Sequence, residues 1–312
     1  SGRELFQTIR NETKDSYDPI LQEVCESATW ELLNSLYEWL EFDQAITCAD
    51  QLVDIIRQLQ IIGRRDSQIE KCIRYHDAEV IRTLIEAERN QVSAEENFAL
   101  RSQAAWNYGF YYRYQTFRVR YGLTLATRNI QLACTMMDEC MRELEKSRGK
   151  SDRYYLWAGF TLHYLKLVQE GDPNELLQVT HFHKALKKNF YNDYRKKLFG
   201  LAAFYYCIHQ ENLGNHLLFQ EVGFERDLRP RQKAFYYETV ALYEYLYGSL
   251  DEARNALYIA AEIFAKLPDY VAIIRHNLHL LGTSTKRPKF AKFYCGGNME
   301  DDTYYADPRS AW

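Results

Sequence analysis

Residues Tyr237–Pro268 read YETVALYEYLYGSLDEARNALYIAAEIFAKLP. The run predicts two amphipathic helices joined by a tight turn at Gly248-Ser249-Leu250-Asp251. Ala241, Gly248, Leu250, Ala253, Leu257 and Ala260 fall where a helical hairpin needs small or apolar residues. Small side chains at the crossing let two helices approach closely, and glycine ends the first helix at little cost. Such a hairpin cannot bury its apolar face alone, so it stacks on its neighbours.

Working outward, the same grammar recurs. Asp18-Pro19 opens a helix, because proline fits the first turn, and Ile20, Leu21, Val24, Ala28, Leu32, Leu36 and Trp39 follow at helical spacing. Glu41 to Ala45 has the look of a turn, with Leu40 where a glycine is usual, and a partner helix follows through Leu59. Gly63-Arg64-Arg65-Asp66 breaks the chain, and Ser67 to Glu88 is expected as one helix. Ser93 with Glu96 three residues on predicts a capped helix start. One aromatic-rich helix is expected over Phe98–Tyr121, then a turn at Gly122 and a partner helix to about Lys146. The candidate turn glycines are Gly122, Gly171, Gly214 and Gly248. Pro268-Asp269 starts a last helix through Leu281. The expected organisation is therefore N-terminal hairpins at 3–146, a loop from Ser147 to Asp152, continuous hairpins at 152–281, and an irregular tail at 282–312. The tail is poor in aliphatics but rich in rings, and is expected to dock on the helical body.

Composition narrows the class. Six prolines and fourteen glycines in 312 residues are few, which favours long uninterrupted helices. The net charge of −4 argues against a chain-wide nucleic-acid binder. Its distribution is uneven, with an acidic first fifty residues and basic runs around Lys184–Lys197, Arg226–Lys233 and Lys286–Lys292. Opposite patches of this kind could pair within a homo-oligomer or attract a partner. Seven cysteines without a CxxC read as reduced, buried thiols, and no apolar run of eighteen suggests a membrane helix. No signal-peptide pattern is evident, so the expected location is cytoplasmic.

The Tyr237–Pro268 hairpin resembles the tetratricopeptide repeat, whose period is about 34 residues. The likeness extends in part to 30–57 and 116–146, and the glycine spacings of 49, 43 and 34 match that period only at the last. The resemblance implies an all-α, right-handed solenoid of degenerate hairpins whose concave face binds a peptide or protein segment. It also fits the sensor domains of peptide-responsive bacterial regulators, although no helix-turn-helix is evident.

Chemistry leaves little trace. His181 and His183 diverge by about 200° on a helix; His276 and His279 share a face. There is no HExxH, no phosphate-binding glycine loop and no nucleophile elbow. Cys72 and His76 share a face at i, i+4 and could be read as nucleophile and base, but the adjacent Arg74 and Asp77 make a solvated helix edge the expected account. No enzyme activity, catalytic residue, metal or cofactor is expected. Two runs interleave aromatic and basic residues: Tyr111–Tyr121, and Asn189–Lys197. Tyr112, Arg113, Tyr114, Arg118, Arg120, Tyr191, Tyr194 and Arg195 are the candidate partner-binding residues, with arginines clamping carboxylates and tyrosines as flat anchors. The function expected is a protein- or peptide-binding scaffold. A peptide-sensing regulator is the first alternative and a nucleic-acid binder the second, since the same residues suit phosphates and stacked bases.

Overall fold

A computed structural model describes residues 2–126, 128–170, 173–189 and 229–283. Every regular element among them is helical. In chain order they are α1 (Gly2–Thr13), α2 (Pro19–Glu38), α3 (Phe42–Ile61), a 3-10 turn (Ile69–Lys71), α4 (Ile73–Glu88), α5 (Ala94–Asn107), α6 (Tyr111–Leu125), α7 (Ile130–Arg148), α8 (Arg153–Glu170), α9 (Pro173–Asn189), α10 (Pro230–Tyr247), α11 (Leu250–Ile263) and α12 (Pro268–Thr283). None is long and apolar enough to cross a membrane.

Contacts divide the chain into two compact units at Tyr121/Gly122, within α6. In the first, α1 through α5 each pack on the next, and α4 also meets α2. Leu33, Leu52, Ile56, Leu59, Ile81, Leu84 and Ile85 are among its fully buried aliphatics. Each is worth about 1.5–3 kcal/mol of transfer free energy. In the second, α7 packs on α8 and α8 on α9, while α10, α11 and α12 form a further consecutive run. Arg128 ties the start of α7 to Asp269 of α12 at 2.7 Å. This neighbour-on-neighbour packing is compatible with a helical repeat.

The hairpin read first is present. Ala241, Ala253, Leu257 and Ala260 are buried, and the Ser249 side chain caps α11 by accepting from the Asp251 amide at 3.2 Å. Asp18 likewise accepts from the Ile20 amide at 2.8 Å, with Pro19 at the first helical position.

Four turns of the first unit share one device. After α2, α3, α4 and α5 the chain passes through a left-handed residue: Leu40, Gly63, Asn90 and Gly109. At each, two backbone amides reach back to the last helical turn, as Leu40 N to Tyr37 O at 3.1 Å and Glu41 N to Leu36 O at 3.0 Å. This is the Schellman pattern. Leucine is costly in that conformation, but Leu40 is 3% exposed, so burial of its side chain offsets the strain.

Several expectations are corrected. The helix expected over Phe98–Tyr121 is two, because Gly109 turns the chain after α5. Gly122 is no turn residue; it is buried within α6, which runs on to Leu125. Glu41–Ala45 is not a turn, since α3 begins at Phe42. Ser93 makes no side-chain capping bond. Residues 67–88 are broken at Cys72, between the 3-10 turn and α4. α1 was not foreseen. Gly171, Gly214 and the tail beyond Thr283 lie outside the described residues.

Candidate functional site

The most heavily buried helix of the first unit, α4, is also rich in charge. His76, Asp77, Glu79, Thr83 and Glu88 are all buried on it. A buried polar group must be bonded or it costs stability, and each of these is. His76 Nε2 lies 2.6 Å from the Glu70 carbonyl oxygen. Glu79 takes Arg101 Nε at 2.6 Å as well as Arg82, which also pairs with Asp50 of α3. Thr83 accepts from Arg101 at 2.7 Å, and the Tyr37 hydroxyl donates to Glu88 at 2.8 Å.

At 100° per residue, Asp77 and Glu88 share one face of α4. Onto that face come Arg113 and Arg120 from α6, and Trp30 and Tyr37 from α2. Arg74 Nη1 and Arg113 Nε lie 3.2 and 3.1 Å from the two carboxylate oxygens of Asp77. Arg74 stacks over Trp30 with its guanidinium 5.2 Å from the ring centroid, and Arg120 over Tyr37 at 5.5 Å. A ring under a guanidinium fixes its plane. Arg113 meets Asp77 through Nε, on the inner edge of its guanidinium.

Asp77 is 4% exposed. Burial pushes its carboxyl above the usual carboxylate range, against the pull of Arg113, Arg74 and Arg120. The folded state therefore holds the proton more readily than the unfolded chain. Ionising Asp77 costs stability, and this cost is complete above its folded pKa and vanishes below the unfolded one. Asp77→Asn should accordingly lie within about 1 kcal/mol of the parent at neutral pH, the net worth of a hydrogen bond, or above it. Any advantage should fade as pH falls through the carboxylate range. Thermal melts of both proteins against pH check this; a neutral-pH loss well beyond that magnitude would refute it.

Of the candidates on α6, Arg113 and Arg120 meet at this face. Tyr114 and Arg118 do not, lying on another side of the helix. Arg118 sits over the Tyr114 ring at 5.3 Å and is 9% exposed, and Trp106 of α5 packs edge-on against both Tyr111 and Tyr114. Tyr112 is half-buried. Tyr191, Tyr194 and Arg195 lie outside the described residues. Trp30 and Tyr37 were missed, and the solvated helix edge expected at Arg74 and Asp77 is corrected: Asp77 is buried, as are Cys72 and His76 beside it, because α2 and α6 pack over this part of α4. The one local clue was Arg74 three residues before Asp77, the spacing of neighbours on a helix.

The remaining chemistry is sparse. Burial raises the Cys72 thiol pKa, so it holds little thiolate. Burial, and then His279 beside it, lower the pKa of His276. No group of three metal-binding side chains occurs among the described residues. Compared with family models and with curated proteins, the chain matches none.

Proposed function

We propose that this chain is a non-enzymatic binding protein, a tetratricopeptide-like array of helical hairpins that holds a peptide or protein segment on the α2–α4–α6 face. Arg74, Arg113 and Arg120 take acidic groups of the partner, and Trp30 and Tyr37 keep the planes of Arg74 and Arg120 in place. The observation that carries the reading is Asp77. A carboxylate kept buried at a net cost, between Arg113 and an Arg74 backed by Trp30, fits a site maintained for recognition better than one maintained for stability. The arginines are partly exposed and their forks suit carboxylates bidentately.

Fluorescence anisotropy with labelled dodecapeptides of graded acidity tests this. Acidic peptides should bind, and Arg113→Gln with Arg120→Gln should weaken them by about 10- to 100-fold, the worth of one or two charge-assisted hydrogen bonds. A circular-dichroism melt should show the variant folded. Equal binding of neutral peptides, or unchanged affinity in the variant, would overturn the reading. Tighter binding of a single-stranded oligonucleotide with a steep salt dependence would replace it with nucleic-acid recognition.

A further inference from the structure

The first unit has a second polar recess, away from the Asp77 face. A cleft of about 310 Å³ lies between α1 and α3, floored by α2. Its floor is Leu32, Leu36 and Cys48. Its walls repeat at helical intervals, with Arg3, Gln7 and Arg10 on α1 facing Gln44, Thr47 and Gln51 on α3. Both ends are bridged, by Arg3 Nη2 to Glu41 Oε2 at 2.7 Å and by Arg10 Nη1 to Gln51 Oε1 at 2.8 Å.

The charges of the walls are not balanced alike. Arg3 is neutralised by Glu41, and Asp43 at the rim by Arg89 at 2.7 Å. Arg10 meets only neutral partners: Gln51, the Asn11 side-chain oxygen at 3.2 Å, and the Cys48 thiol of the floor. No carboxylate pairs with it among the described residues. Gln7 and Gln44 make no side-chain hydrogen bond among the described residues, so each offers an amide with both donor and acceptor. The Cys48 thiol donates to the Thr29 carbonyl at 3.4 Å. Burial pushes that thiol up to about 11, so the floor is neutral at physiological pH.

A ligand that satisfies this set needs a carboxylate for Arg10, an amide for the glutamines and an aliphatic group for the leucines. Gln7 and Arg10 are one helical turn apart, a rise of about 4.5 Å. That matches the separation of an acyl amide from the α-carboxylate of the same residue. We infer that the cleft binds an N-acylated aliphatic α-amino acid, either free or as the last residue of a polypeptide. The site shares no residue with the α2–α4–α6 face, so it does not rest on the peptide-binding reading.

Isothermal titration of the full chain tests it, with N-acetyl-leucine, N-acetyl-leucinamide and an octapeptide ending in leucine as probes. N-acetyl-leucine should bind with a Kd between about 10 µM and 1 mM, reasonable for so small a ligand. The amide should bind about tenfold more weakly, for want of a charge-assisted bond. Arg10→Gln should erase that difference, and Gln44→Ala, an exposed substitution with little effect on folding, should weaken both probes. The octapeptide separates the two sources: affinity equal to that of N-acetyl-leucine assigns the ligand to a chain terminus, and its exclusion assigns it to the free amino acid derivative. No saturable binding of N-acetyl-leucine at millimolar concentration, equal affinity for acid and amide, or indifference to Arg10→Gln would overturn the proposal.

Discussion

Replacing Glu79 by alanine should lower the unfolding free energy by about 2–4 kcal/mol, the upper part of the range for single substitutions. The Glu79 carboxylate is 8% exposed and takes Arg82 and Arg101 together. Removing it leaves two guanidinium groups without their acceptor inside the unit. Breaking a fully buried pair costs about 3–5 kcal/mol. The figure here is lower because Arg82 and Arg101 keep 19% and 23% of their side-chain surface in water. Arg101 also retains Glu86 at 3.1 Å. Denaturant titration checks this, and a melting point lower by on the order of 5–10 °C should accompany it. A loss below about 1 kcal/mol would mean that the arginines simply turn to solvent. The contrast with Asp77→Asn is informative. Asp77 receives one longer contact from each of two arginines that are 31% exposed, so they lose less when it is neutralised.

The other large effect is expected in the second unit, at Gly159. A Cβ added there would lie 2.4 Å from Cε1 and 2.5 Å from Cζ of Phe182, a ring on α9. That ring is buried and stacks on His163, whose Nδ1 lies 2.5 Å from Glu175. It cannot yield without disturbing the seam between α8 and α9. Gly159→Ala gains about 1 kcal/mol of helix propensity against an overpacking cost of about 1–3 kcal/mol. Gly159→Val should therefore cost about 3 kcal/mol or more, since it adds bulk and forgoes most of the propensity gain. Adding Phe182→Leu should recover part of the loss by clearing space. Gly122→Ala is the comparison: its Cβ would meet the flexible end of Met137, so the net change should stay within about 1 kcal/mol. Equal melts for the two alanine variants would refute the assignment of Gly159 as a close crossing.

How much of this was legible follows from where each signal resides. Proline at a first turn, serine at a cap and glycine between apolar-periodic runs act locally, so Asp18-Pro19 and the Gly248-Ser249 turn could be read. Gly109 was passed over because the rings around it continue a helical rhythm across the break. Leu40 carries no mark of a left-handed residue, since only its burial makes that conformation tolerable. α1 has few apolar positions, and its role emerges only where its arginines and glutamine face α3. The candidate face was legible in half. Arg113 and Arg120 stood out among tyrosines, but Asp77, Trp30 and Tyr37 meet them only through the packing of α2, α4 and α6. Arg118, equally conspicuous in the sequence, lies over Tyr114 on another side of the helix.

The bonding of α4 has a mechanical consequence. An oily seam allows one helix to slide past another with little change in contact. Seams fastened by Tyr37–Glu88, Arg82–Asp50, Arg101–Glu79 and Arg113–Asp77 allow no such slip, because a shift of one turn separates every pair. Pulled from its ends, the first unit should resist and then yield in one step, where an apolar stack of the same helices would peel gradually.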